Sequence, residues 1–322
     1  MANCPWANGA KASTLIAFES TYGTLPGDAG TKSILLPINS NGVKCSQNSS
    51  TPSTIRGNRS PVEPIKGNND VSGDVVVPVD YTAFGYWLKA LFGAPSTGAV
   101  SGKEGYYKHV FKIDDDMPSF TIEKAFPGIT KYIRDNGCKA SKLSVSVGGD
   151  GELTATVSVM GAKESIEAAT MGTTPVIAGF DRADNFEASL KVGDTEMAIA
   201  TSFSIDIDAG LDGDTYCIGS KGYRTAICEG LVTASGTMEA FFKDDTYLAM
   251  AENDAETSLE LVLTQDDMSL SFKFPEAKFA KTSPSIEGPA GIKQSLNYNA
   301  YYEDNSDKSA VVVTLINKVA SY

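Results

Sequence analysis

A second half that repeats the order of elements in the first is the feature that most constrains this chain. At an offset of 163 residues, Gly67, Ser72 and Gly73 fall on Gly230, Ser235 and Gly236, and Ile55 falls on Ile218. Each Ser-Gly opens an apolar stretch that runs into an acidic residue and a short helical pattern. Beyond a connection that is shorter in the second copy, Asp115-Asp116-Met117 answers Asp266-Asp267-Met268. Gly137-Cys138-Lys139-Ala140-Ser141 then answers Gly291-Ile292-Lys293-Gln294-Ser295, and the copies close on β-rich runs at 153–160 and 310–316. Solenoid and propeller repeats are far shorter, so each copy is expected to be a complete domain with its own core. The expected division is a first module over 1–165, a linker over 166–185 and a second module over 186–322, which suits a length of 322 residues.

Both copies read as β. Leu143, Val145 and Val147 alternate with Ser144 and Ser146, and past Gly148-Gly149-Asp150-Gly151 the apolar face resumes at Leu153, Ala155, Val157 and Val159. That is a hairpin, with Thr154, Thr156 and Ser158 on its other face. Phe203, Ile205 and Ile207 alternate with Ser202, Ser204, Asp206 and Asp208 in the second copy. A wet face of small hydroxyls is unusual where Lys and Glu would serve solubility equally well. Tyr81, Phe84, Leu88, Leu91 and Phe92 share one face of a helix over 81–92 that Asp80 caps and Gly93 and Pro95 stop. A shorter helix is expected at 244–252. Residues 39–69, rich in Asn, Ser, Pro and Gly, lack periodicity and read as a disordered or functional arm, and residues 208–229 correspond to them.

The formal charge of −13 is unevenly placed. Residues 1–165 hold 16 Lys and Arg against 15 Asp and Glu, and residues 166–322 hold 11 against 25. Tight nucleic-acid binding needs basic patches to displace counterions, which this balance disfavours. Five cysteines form no C-x-x-C pair, which suits free thiols made in a reducing compartment. The start, 1–20, lacks a basic segment followed by a long apolar one, and no run is long enough to span a membrane.

Nothing selects a catalytic centre. His109 is the single histidine, so His-rich metal sites and most triads have no donor set, and it is expected at a surface or strand end. The glycine run at 148–151 joins two strands and opens no helix, so it is a turn and not an anion cradle. Asp206, Asp208, Asp212 and Asp214 match no EF-hand spacing and are read as a solvated strand face and turn, not a calcium site. No catalytic, cofactor-binding or metal residue is assigned.

The run Arg56-Gly57-Asn58-Arg59-Ser60-Pro61 through Gly67-Asn68-Asn69-Asp70-Val71-Ser72-Gly73, then Val75-Val76-Val77-Pro78-Val79-Asp80 and Trp87-Leu88-Lys89, resembles the tail tube proteins of long-tailed bacteriophages. The hairpin over 142–163 is similar as well. The resemblance implies an all-β fold with minor α: two tandem tail-tube-type β-sandwich modules, each with a flanking short helix. It implies a structural subunit, not an enzyme, whose rings stack into a hollow conduit for genomic DNA during ejection. Two modules per chain would close a pseudo-hexameric ring from three chains. The implied partners are further copies of the chain together with tape measure, tail terminator and distal tail proteins. DNA passes without specific binding, no membrane is involved, and the virion tail is assembled in the host cytoplasm. Arg56, Arg59, Lys66, Lys221 and Arg224 are the candidate ring-stacking arm residues, and Ser144, Ser146, Asp206 and Asp208 the candidates for the lumen. The competing readings are a phage fibre or baseplate sandwich that binds or hydrolyses glycans, and a tube subunit of a contractile or secretion device.

Overall fold

In the computed structural model, residues 5–193, 195–286 and 288–322 are described. The first half runs through β1 (Ser13–Phe18), α1 (Ala29–Lys32), β2 (Ile34–Leu36), β3 (Ser40–Asn41), β4 (Lys44–Ser50) and β5 (Ile65–Pro78). It continues with α2 (Phe84–Phe92), β6 (Ser96–Ala99), β7 (Tyr107–Lys112), β8 (Phe120–Phe126), β9 (Lys131–Val147), β10 (Thr154–Gly161), β11 (Lys163–Glu167) and β12 (Val176–Ile177). The second half holds β13 (Ala188–Val192), β14 (Thr195–Glu196), β15 (Ala200–Asp208), β16 (Thr233–Phe241), α3 (Thr246–Glu252), β17 (Thr257–Gln265), β18 (Met268–Phe279), β19 (Lys293–Tyr301) and β20 (Val312–Asn317). The fold is all-β with minor α.

Strand pairing in the second half follows that of the first, in the same chain order. The hairpin β1–β2 recurs as β13–β14, and β1–β8 as β13–β17. The pairs β4–β5, β5–β10 and β9–β10 recur as β15–β16, β16–β19 and β18–β19. Finally β8–β9 and β9–β11 recur as β17–β18 and β18–β20. These pairings correct the later sequence matches by one strand: β9 answers β18, β10 answers β19 and β11 answers β20. Neighbouring strands share a period of two, so a slip of one strand leaves the apolar pattern intact and is invisible to it. The earlier match of Gly73 to Gly236 holds and has a steric cause. A Cβ on Gly73 would collide with the Gly42 carbonyl, and one on Gly236 with the Ser204 carbonyl. Each glycine lets the preceding strand approach closely.

The halves do not have separate cores. One contiguous cluster runs from Ile16 and Val75 through Leu143 and Ile205 to Phe272 and Leu315, because two ladders cross between the halves. In one, β9 pairs β15; in the other, β7 pairs β20. Residues 166–185, expected as a linker, lie along the first half. Strand β12 pairs parallel to β2, Met171 is buried, and Tyr81 N donates to Asp181 O at 2.8 Å.

The second crossing explains His109, which is fully buried on β7 and not at a surface or strand end. Thr97 Oγ1 lies 2.8 Å from its Nδ1, and Nε2 lies 2.9 Å from the Val319 carbonyl, so the proton belongs on Nε2. Burial, only partly opposed by the bonds to the Val319 carbonyl and to Asn317, keeps the ring below its ordinary pKa. Tyr322 packs edge-on against His109 and Tyr86 and donates to Thr82 O at 2.7 Å. A Cβ at Gly85 would lie inside the Tyr322 ring, so that glycine is what admits it against α2.

The two helices start later than the periodicity predicts, with α2 over Phe84–Phe92 and α3 over Thr246–Glu252. Asp80 is not the N-cap, which is Ala83 and carries no side-chain cap; its Oδ1 accepts from Thr82 N at 2.6 Å and Ala83 N at 2.5 Å and so braces the turn that precedes the helix. Burial pushes its carboxyl up to about 6 against those bonds.

Candidate functional site

The ladder between β9 and β15 joins the halves into one antiparallel sheet in the order β4, β5, β10, β9, β15, β16, β19. Val147 pairs with Phe203, Val145 with Ile205 and Leu143 with Ile207, and all six are buried. Alternation then sends Lys142, Ser144, Ser146, Ser204, Asp206 and Asp208 to the opposite face. The four expected lumen residues are thus brought together across one seam: Ser144 pairs directly with Asp206, and Ser146 with Ser204. Ala209 N donates to Ser141 O at 2.8 Å. By the two-residue period of an antiparallel ladder, 143/207, 145/205 and 147/203 are hydrogen-bonded pairs and 144/206 is a closer, non-hydrogen-bonded one.

This outer face is lined by hydroxyls, amides and carboxylates. Neighbours include Asp74, Thr156 and Ser158 on one side and Ser235, Thr237, Ser295 and Asn297 on the other. Lys44 on β4 is exposed on this face, while two other cations are tied down. Lys142 Nζ sits 3.1 Å from Asp206 Oδ1, which also accepts from Ser144 Oγ at 2.6 Å. Burial works against Asp206 ionising, yet those two bonds hold it below the usual carboxylate range. Lys293 Nζ is 2.8 Å from Glu239, whose carboxyl that bond and Thr201 likewise depress. Asp208 Oδ1 accepts from Gly210 N and Asp212 Oδ1 from Asp214 N, so the acidic run forms local turns.

The arms are more ordered than their composition suggests. Residues 39–69 form most of a long hairpin, with β4 and the start of β5 paired and only the tip, 51–64, irregular. Arg56, Arg59 and Lys66 are exposed on it, and Arg56 Nη2 donates to Pro61 O at 3.2 Å. The second arm folds back on this hairpin: Asn69 N donates to Gly222 O and Tyr216 OH to Asn69 O, both at 2.8 Å. Lys221 is exposed there.

Arg224 is not presented outward as an arm cation. Its guanidinium bonds Asp70 Oδ1 (2.5 Å), Val71 O (3.2 Å), Gly161 O (2.9 Å) and Gly213 O (2.8 Å), clamping the second arm to the first half. Sequence reasoning missed this because each of those partners lies far along the chain or is a backbone carbonyl, which leaves no trace in composition. Both arms do carry the matched isoleucines at full exposure, Ile55 at 95% and Ile218 at 107%.

A cleft of about 820 Å³ lies between the halves, walled by Leu91, Phe92 and Met117 from the first and Ile207, Leu231 and Tyr301 from the second. Its Glu229 is engaged by the Lys139 ammonium and by Met117 N. Among the described residues no group of three or more His, Cys, Asp or Glu is placed to hold a metal, and no helix is long and apolar enough to cross a membrane.

A sequence model described as phage tail tube protein matches residues 9–300, spanning both halves and the seam between them. The chain belongs to the phage tail tube protein family. It is a structural tail tube subunit, and its place is the virion tail. A search of the curated proteins found no match. For a tail tube subunit, a hydroxyl-rich sheet face on which Lys142 and Lys293 are already paired is the surface of greatest functional interest.

Proposed function

We propose that three copies of this tail tube protein close a pseudo-hexameric ring, that rings stack into a tube, and that the polar face of the joined sheet lines a bore through which genomic DNA leaves the virion. The observation that carries this reading is the recurrence of seven strand pairings of the first half in the second, with β9 and β15 as the join. Such a chain is two tandem sandwich modules, and a ring of six modules needs three chains.

Counting β4, β5, β10 and β9 with β15, β16, β19 and the end of β18, each chain offers eight strands to a barrel. At about 4.8 Å per strand, 24 strands give a wall circumference of about 115 Å and a radius of about 18 Å before strand tilt widens it. That admits a DNA duplex with room for side chains. Carboxylates facing phosphates repel them, and Lys142 and Lys293, being paired, offer no strong holding point. DNA therefore slides and is not bound.

The hairpin tip at 51–64 and the second arm reach the adjacent ring, with Arg56, Arg59, Lys66 and Lys221 meeting acidic surface and Ile55 and Ile218 becoming buried. Tape measure, terminator and distal tail proteins are the remaining partners, and assembly takes place in the host cytoplasm. Cryo-microscopy of purified protein at rising concentration tests this. Tubes with threefold chain symmetry and a duplex-wide bore are expected; a stable small oligomer that binds or hydrolyses glycan would overturn it.

A further inference from the structure

The internal seam supplies a template for the contact between chains. The strand pairings set β3–β4 equivalent to β15: Asn41 faces Val75 as Phe203 faces Met238, and Lys44 faces Ser72 as Asp206 faces Ser235. Every residue of 40–46 therefore matches the one 162 positions later. On the other side of the seam, Lys139 faces Met160 as Lys278 faces Asn299, and Ala140 faces Val159 as Phe279 faces Tyr298. Carrying that offset forward sets Lys142-Leu143-Ser144-Val145-Ser146-Val147 on Lys281-Thr282-Ser283-Pro284-Ser285-Ile286, which repeat its Lys-x-Ser-x-Ser-apolar pattern. The first of these segments is the seam strand of β9. The second follows β18 and belongs to no strand.

We propose that residues 281–286 of one copy pair antiparallel with residues 41–46 of a second copy, in the register of the internal seam. Ile286 then faces Asn41, Pro284 faces Val43, Ser283 faces Lys44 and Lys281 faces Ser46. This rests on the ring reading above and names its joining edge.

Two further observations agree with that register. Val147 is 5% exposed because the seam covers it, whereas its counterpart Ile286 is 81% exposed, an apolar side chain awaiting the same cover. Pro284 stands where Val145 donates its N–H across a hydrogen-bonded pair, and proline has none to give. Its proposed partner Val43 needs none, since the Val43 carbonyl already accepts from the Lys124 ammonium. The missing donor and the occupied acceptor meet at one position. Among the described residues the outer edge of β4 is otherwise held by side chains, Cys45 N reaching Glu164 Oε2 at 3.4 Å, which a neighbour's strand displaces readily. One element is not copied: Lys44 stands where Asp206 does, diagonal to Lys281, whose ammonium is instead taken by Glu252 at 2.8 Å.

The test is a cysteine pair, Lys44→Cys with Ser283→Cys, in full-length protein whose Cys4, Cys45, Cys217 and Cys228 are replaced by serine. The pair sits at the closer, non-hydrogen-bonded position, where Cα atoms lie about 4.5 Å apart, within disulfide reach. Ser144→Cys with Asp206→Cys is the equivalent pair inside the chain and reports that oxidation works. Oxidised tubes are expected to run on non-reducing gels as closed trimers of the 34.0 kDa chain. Lys44→Cys with Thr282→Cys points the two thiols to opposite faces and is expected to stay monomeric. Tubes that form but yield only monomer from the first pair, or trimer equally from the off-face pair, would overturn this seam while leaving the tube reading standing. Wild-type protein that forms no tubes would overturn the tube reading itself.

Discussion

Replacing Arg224 by alanine tests whether the second arm is a fixed part of the first half. The guanidinium is 8% exposed and reaches three backbone carbonyls and one carboxylate. Hydrogen bonds to a charged donor contribute about 1.5–3 kcal/mol each when buried, but the terms do not add, because the loop at 209–229 opens and readmits water. Asp70 is 45% exposed and rehydrates, so its ion pair contributes well under 1 kcal/mol. The carbonyls of Val71 and Gly161, set within the sheet, dominate, and the net loss is about 3 kcal/mol. For a chain of this length, unfolding entropy near 2.1 cal/mol/K per residue turns that loss into a fall in Tm of about 4 °C. Differential scanning calorimetry measures it. Arg224→Lys should recover little, since one ammonium cannot span four acceptors. Asp70→Asn should cost below about 1 kcal/mol. Hydrogen exchange should accelerate across 209–229 and at 67–72 together. An Arg224→Ala variant that melts within a degree of wild type, with unchanged exchange in both segments, would refute the clamp.

Asp135 is fully buried and its carboxyl is pushed up to about 6 by burial, against the pull of Lys124 at 3.2 Å. A raised acid contributes stability that is complete below its unfolded value near 3.8 and lost as pH rises through 6. Asp135→Asn, a mimic of the neutral acid, should therefore stabilise by up to about 3 kcal/mol at pH 7.5, with the gain vanishing near pH 4 in paired melts. Gly85→Ala should cost about 1–3 kcal/mol by driving a methyl into the Tyr322 ring, and combining it with Tyr322→Ala should relieve part of that cost in a double-mutant cycle. Arg56→Glu with Arg59→Glu should leave stability within about 0.5 kcal/mol of wild type yet stop tube growth, as scored by electron microscopy. Normal tubes from that variant would remove the hairpin tip from ring stacking.

The hairpin at 142–161 was legible because strict alternation around a glycine turn admits one interpretation, and the same alternation set Ser144 and Ser146 on the polar face of one strand and Asp206 and Asp208 on that of another, which the β9–β15 ladder then made a common face. The arms were legible as positions but not as structure, since Asn- and Ser-rich strands such as β4 carry no apolar stripe to announce them. Arg224 and His109 were misplaced for a shared reason. Each is defined by partners from the other half of the chain, and local pattern holds no information about which distant edge a strand will meet.

Residue pattern by itself therefore determined the class, the faces of the individual strands and turns such as the one at Asp80, all of which depend on neighbours within a few positions. Tertiary structure alone decided that β9 joins β15, that β7 joins β20, and that the two halves share one core. Pairing free energy is nearly the same for any two edges of matched alternation, so the choice among them is made by closure of the whole sheet and burial of its shared face, quantities that exist only once the chain has folded.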